Sequence, residues 1–511
     1  MAPRIEDYAL LGDLHTAALV SLDGSIDWFC VPRFDGPACF AALLGERDNG
    51  HWSIAPATAL RTSSRRYRGD SLVLDTTFEC DGGKVVLTDA MTLDSGPRII
   101  RTVSGIEGTV AMRMDYVVRF DYGSIVPWVR KVEGGLLAVA GPDALLLASE
   151  VETAGEGMTT FAEFEVAAGQ NKTFELSYFA SENPPPPLRT PGDPHAETER
   201  RWQDWSDVCR YRGAYRDIVT RSLLTLRALT YRPTGGIVAA PTTSLPEKLG
   251  GVRNWDYRYC WLRDATFTLY ALLVAGYGDN AEEWRNWLLR AVAGDPADLQ
   301  IVYNVRGGRR IPETELSWLP GYEGSKPVRV GNGAHGQFQL DVYGEVVDLL
   351  SAAHRYGIET LEDEWALSSV IVAEVERRWH EPDRGLWEIR GEPKHFTHSK
   401  VMAWVAFDRV ITAVEQHGFQ GPADRWRAIR DEIHAQVCAE AFDFERNTFT
   451  QYYGSKALDA STLLIPAVGF LPPDDPRVAG TIAAIEAELL RDGFVLRYTQ
   501  EDDAGPDPLP P

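Results

Sequence analysis

The run Pro184-Pro185-Pro186-Pro187-Leu188-Arg189-Thr190-Pro191-Gly192-Asp193-Pro194-His195 divides the chain into two unlike parts. Each proline fixes φ and lacks an N–H, so neither a ladder nor a helix continues through the run. Upstream, short apolar or alternating segments recur at 17–21, 72–78, 84–87, 99–103, 111–120, 136–139 and 172–179. Turn chemistry separates them, as in Asp81-Gly82-Gly83 and Gly169-Gln170-Asn171. Strands following strands without intervening helices predict an antiparallel β-sandwich over residues 1–190.

Downstream the hydrophobic period changes from two to about 3.6. A helical linker (boundary 191–214) is expected, its helix at 197–211. Helices then follow at 215–231, 264–275, 280–293, 340–356, 362–380, 399–417, 422–440, 458–470 and 476–490. Val342, Val346, Leu349 and Leu350 illustrate the apolar spacing. The uneven loops 240–262, 303–339 and 384–398 hold the unusual polar and aromatic residues. A toroid of helical hairpins would gather these loops into one pocket; periodicity alone does not separate it from a stacked array.

The totals narrow the partners. A chain of 511 residues suggests two or three domains, and a net charge of -23 argues against nucleic acid or an anionic membrane. A neutral substrate such as a sugar fits, and the 15 tryptophans supply both core filler and stacking faces. The six cysteines show no CxxC pair or metal-ligand spacing, so free thiols in a reducing cytoplasm are expected. The first residues lack the apolar core of a signal peptide, and no apolar run reaches membrane-spanning length.

Chemistry concentrates in three places. Asp383-Arg384-Gly385-Leu386-Trp387-Glu388 is a polar turn ending in a carboxylate beside an indole. A dehydrated Glu keeps its proton near neutral pH, as a general acid requires; the plain alternative is a loop Glu above a buried Trp387. Asn254-Trp255-Asp256-Tyr257-Arg258-Tyr259-Cys260-Trp261-Leu262-Arg263-Asp264 is the densest polar–aromatic segment. Its adjacent Arg263 and Asp264 suit vicinal hydroxyls, although Asp264 also suits a helix N-cap. The third region, 312–333, is rich in glycine and charge but lacks P-loop spacing. Gln337, Gln339, Asp341 and Tyr343 follow it into the next helix, positioned to line the same pocket.

Together these segments resemble bacterial members of glycoside hydrolase family 15, the glucoamylase and trehalase family. The resemblance rests on residues 12–40, NWDYRYCWLRDA (254–265), GYEGSKPVRVGNGAHGQFQLDVYGE (321–345), GLWEIRG (385–391), 395–409 and LDASTLLIP (458–466). It implies an N-terminal β-sandwich linked to an (α/α)6 barrel at 215–511. It further implies that Glu388 is the general acid and that Arg263 and Asp264 grip the non-reducing-end glucose. Trp255, Asp256 and Trp387 would be pocket walls or hydroxyl contacts. The implied reaction is inverting and exo-acting on a small carbohydrate (trehalose or a maltooligosaccharide), without metal or cofactor. Two carboxyls roughly 6.5–9.5 Å apart are needed.

The family pattern has twelve barrel helices against nine expected here. The tail 501–511, rich in proline and acid, is not expected to form a helix. The chain thus reads as lacking about three helices, with the general base expected beyond Pro511. Glu313, Glu315 and Glu323 are the alternative bases within it. An impaired member that binds sugar without turnover, or folds poorly, is the rival expectation.

Overall fold

The computed structural model describes residues 3–94, 96–294 and 298–499, so the tail 501–511 and its expected irregularity lie outside the described residues. The first part is an antiparallel β domain organised by one strand, Arg98–Val117. Its beginning pairs with Gly83–Met91 and Asn171–Ala180, its end with His51–Pro56 and Thr159–Ala167. The strand therefore passes from one leaf to the other. The crossing falls at Gly105, where a Cβ would overlap the Ala167 carbonyl, and at Gly108, whose φ is 64°. A register shift opposite, between Lys84 and Val85, adds the local twist. Trp52, Phe78, Leu87, Ile99 and Met114 from both leaves fill a common core.

Asp193 accepts from the Ala196 N–H and Pro194 occupies the first turn, so helix α1 spans Pro194–Ser206. The predicted linker helix therefore starts three residues earlier and ends five earlier than expected. Then come α2 (Arg216–Ala228), α3 (Leu262–Ala275), α4 (Gly278–Ala291), α5 (Asp341–Arg355) and α6 (Glu362–Arg378). The last are α7 (Thr397–His417), α8 (Ala423–Glu440) and α9 (Pro476–Glu488). Eight α-helices thus follow α1 among the described residues. Helices α3, α5 and α7 pack as one row; α4 backs α3, α6 backs α5 and α7, and α8 backs α7.

The helix predicted at 458–470 is replaced by a short 3-10 turn, Ala460–Leu464. Asp459 takes the Ser461 N–H and hydroxyl, which favours a tight cap, and Pro466 and left-handed Gly469 (φ 83°) prevent extension. All six cysteines are unpaired, five of them buried. Among the described residues no helix is long and apolar enough to cross a membrane.

Two apolar seams join the parts. Trp28, Leu43 and Tyr122 pack with Leu316, Leu319 and Tyr322; Leu14, Leu72 and Leu93 pack with Trp202 and Leu224. Between them the Arg258 guanidinium reaches across to the Gly36 carbonyl at 2.7 Å. That contact fixes the loop leading into α3.

Candidate active site

A cavity of about 910 Å³ opens where the loops before α3, before α7 and before α9 converge. The strand Cys260–Trp261 runs directly into α3, which turns Arg263 and Asp264 toward this space. Across it stands the turn that begins at Asp383. One Asp383 oxygen accepts from the Leu340 and Gly385 N–H groups and from the Ser399 hydroxyl. Gly385 is left-handed (φ 68°), and a Cβ there would lie 2.7 Å from the Phe396 ring, so glycine is required. Glu388 also adopts a left-handed backbone, with φ 58°. The turn thereby directs its carboxyl into the cavity.

The Glu388 side chain is 21% exposed. Its Oε1 accepts from Trp261 Nε1 at 2.7 Å and from Arg263 Nη2 at 3.3 Å. Burial raises its pKa above the ordinary carboxyl value, opposed by the Arg263 charge and reinforced by Asp264. Trp261, not Trp387, is the indole hydrogen-bonded to Glu388. Trp387 does line the cavity, but its N–H goes to Asp459 at 2.9 Å and its ring faces Arg497.

Arg263 is held by four acceptors: Gln339 at 3.0 Å, Glu388 at 3.3 Å, Asp341 at 3.5 Å and Asp264 at 3.9 Å. Its guanidinium is raised in pKa by these acids and stays charged. Asp264 is 47% exposed and makes no N-cap bond, so its oxygens are open to the cavity. Trp255 lines the wall with its ring between two guanidinium groups, Arg390 at 4.2 Å and Arg329 at 4.5 Å.

Asp256 does not join them. It is fully buried outside the cavity wall, gripping Arg258 through both oxygens at 2.9 and 2.7 Å and accepting the Gly331 N–H. Gln337 lines the cavity, whereas Gln339 and Asp341 are buried behind it and Tyr343 packs in the core. Glu313 is tied to Arg390 at 2.8 Å and to the Gly333 N–H; neither it, Glu315 nor Glu323 lines the cavity.

The wall carries one further carboxyl that sequence reasoning missed, Glu247, with Tyr257 Oη at 3.4 Å and Arg497 at 3.8 Å. Arg253, Arg390 and Arg497 were likewise missed. Nothing in their local sequence distinguishes them from ordinary loop charges; the loops 240–262 and 384–398, which hold Glu247, Arg253 and Arg390, stood out only as wholes. Among the described residues no group of acids, cysteines and histidines is arranged to hold a metal. The cavity therefore presents one carboxyl whose pKa is raised by burial, an adjacent fixed cation, a half-exposed acid and indole walls. That set can donate a proton to an oxygen while gripping hydroxyl groups.

Residues 213–506 match the model for glycosyl hydrolases family 15, and residues 1–188 match a trehalase-like N-terminal domain. The chain is 38% identical over 537 residues to a trehalase of Mycobacterium tuberculosis, covering 98% of this chain and 78% of the relative. It is 39% identical over 534 residues to the trehalase of Mycolicibacterium smegmatis (98% and 79%). A Thermoplasma volcanium trehalase shares 33% over 513 residues (98% and 81%). The chain therefore belongs to glycosyl hydrolases family 15 and is a glycoside hydrolase built on a trehalase-like N-terminal domain.

Proposed function

We propose that this chain hydrolyses the α-glucosidic bond of α,α-trehalose or a short maltooligosaccharide, acting from the non-reducing end with inversion. The observation that carries the reading is the Glu388 carboxyl, held by Trp261 and Arg263 in the wall of a cavity large enough for a disaccharide, with its pKa raised by burial. Similarity to three trehalases along nearly the whole chain favours trehalose.

In this reading Glu388 protonates the glycosidic oxygen as the bond to the anomeric carbon breaks. The Arg263 cation beside it stabilises the carboxylate left behind. Arg263 and Asp264 bind hydroxyls of the glucose being released, and Trp255 and Trp387 wall the ring. Inversion needs water on the opposite ring face, activated by a second carboxyl about 6.5–9.5 Å from the acid. The free thiols support a reducing compartment, the cytoplasm.

The test is glucose release from trehalose and from maltotetraose, with Glu388→Gln as control and the anomer of the first product read by NMR. The expected result is turnover of trehalose into equal amounts of α- and β-glucose before mutarotation, where retention would give α-glucose alone, and loss of about 10²–10⁴-fold in the control. Turnover that survives in Glu388→Gln would remove Glu388 from the acid role. Preference for maltotetraose would move the substrate to the glucan side.

A further inference from the structure

We infer that Gln337 and Gln339 are positioning residues that tie the backbone of Glu388 to its own carboxyl through Arg263. The inference rests on the proposed acid role of Glu388 and adds a mechanism by which that acid is held.

Four hydrogen bonds form a closed circuit. Arg263 Nη1 donates to Gln339 Oε1 at 3.0 Å, and Gln339 Nε2 donates to Gln337 Oε1 at 3.0 Å. Gln337 Nε2 donates to the Glu388 carbonyl at 3.3 Å, with the Ile389 carbonyl at 3.4 Å. Arg263 Nη2 closes the circuit on Glu388 Oε1 at 3.3 Å. Guanidinium groups only donate and backbone carbonyls only accept, so each amide has a single orientation that satisfies both neighbours. The circuit begins and ends on one residue.

Its purpose follows from what it restrains. A left-handed Glu is strained and persists only when its surroundings fix it. Gln337 fixes the carbonyl side of that residue. Gln339, 1% exposed, is the neutral anchor of Arg263, whose other acceptors are all acids. Without Gln339 the guanidinium would distribute itself among Asp341, Asp264 and Glu388. With it, one N–H stays on Glu388.

The charged and titratable groups that face this carboxyl are Arg263 and Asp264 of α3 and Tyr257 of the preceding loop. Asp341 and Glu345 of α5 act on it through Arg263. Arg390, two residues on, is occupied by Glu313. Arg263 is thus the cation that lowers the pKa of Glu388 against burial. Loosening it raises the pKa.

The test reads that pKa without substrate. Trp261 donates to Glu388, so its fluorescence reports protonation, isolated as the pH titration of the wild type minus that of Glu388→Gln. In Gln339→Met and in Gln337→Met the midpoint is expected to move up, and kcat to fall about tenfold to a hundredfold with little change in KM. The double variant should be no worse than the worse single, because either change opens the same circuit. An unmoved midpoint, or losses that multiply, would overturn the inference. If Gln339→Met fails to melt cooperatively, the half-buried Gln337→Met carries the same test. Retained turnover in Glu388→Gln would instead refute the acid role while leaving the titration interpretable.

Discussion

At the residue scale, the site separates two neighbouring carboxyls by environment. Glu388 is largely enclosed and bonded, which raises its pKa; Asp264 is open to the cavity and half exposed. Asp264→Asn is expected to raise KM for trehalose about tenfold to a hundredfold with a smaller effect on kcat, as steady-state kinetics would show, because a charged hydroxyl acceptor is worth about 1.5–3 kcal/mol. The alkaline limb of kcat/KM should follow Glu388 and lie above the range of an ordinary Glu. Asp383 offers a stability test. Burial and Asp341 push its pKa up from 3.8 to about 6, against the pull of its hydrogen bonds and Lys400. The folded state therefore holds this proton more tightly than the unfolded chain, and stability is lost as pH rises from about 4 through about 6. Asp383→Asn keeps an acceptor for Leu340, Gly385 and Ser399 but cannot ionise. Its melting temperature relative to wild type is expected to be more favourable at pH 7 than at pH 4; a constant difference would argue that Asp383 does not titrate in this window.

At the element scale, the turn between α6 and α7 is the least replaceable piece. Gly385 combines a left-handed backbone with an overlap against Phe396 for any larger residue. Gly385→Ala should cost about 1–3 kcal/mol and move Glu388, so activity should fall further than stability alone accounts for. Thermal melts and kcat on one preparation check both. The same turn was legible in the sequence as Asp-Arg-Gly before an aromatic and a Glu, because turn residues declare themselves locally. The indole that touches Glu388 was not legible. Trp261 lies 127 residues away, and only the packing of α3 and α7 on α5 brings the two loops face to face.

At the scale of the whole molecule, the β domain supports the site from behind. Asp256 holds Arg258, Arg258 holds the Gly36 carbonyl of the β domain, and Asp256 also receives Gly331 from the cavity-rim loop. The expectation of a pocket-wall or hydroxyl contact at Asp256 came from the family resemblance. It is buried instead in an ion pair with Arg258, whose guanidinium carries the contact across to the β domain. Asp256→Ala leaves a buried guanidinium unpaired, a loss of about 3–5 kcal/mol. Calorimetry should show reduced stability and weakened coupling of the two parts. A selective rise in KM at unchanged stability would restore the sugar-contact reading.

The sequence by itself determined the division at the proline run, the β-then-α order and the carboxyl after Trp387. These depend on local covalent facts: proline lacks a donor, periods of two and 3.6 select strands and helices, and turns need glycine. Helix ends were located to within a few residues except at 458–470, where Asp459 and Pro466 outweigh the apolar spacing. Tertiary structure alone decided that Arg263 lies on Glu388, that Asp256 turns away and that Glu247 enters the wall. It also decided that two glutamines close a circuit through Glu388. Each of those facts depends on side chains from segments tens to hundreds of residues apart, and the charge and hydration they create exist only once the segments pack.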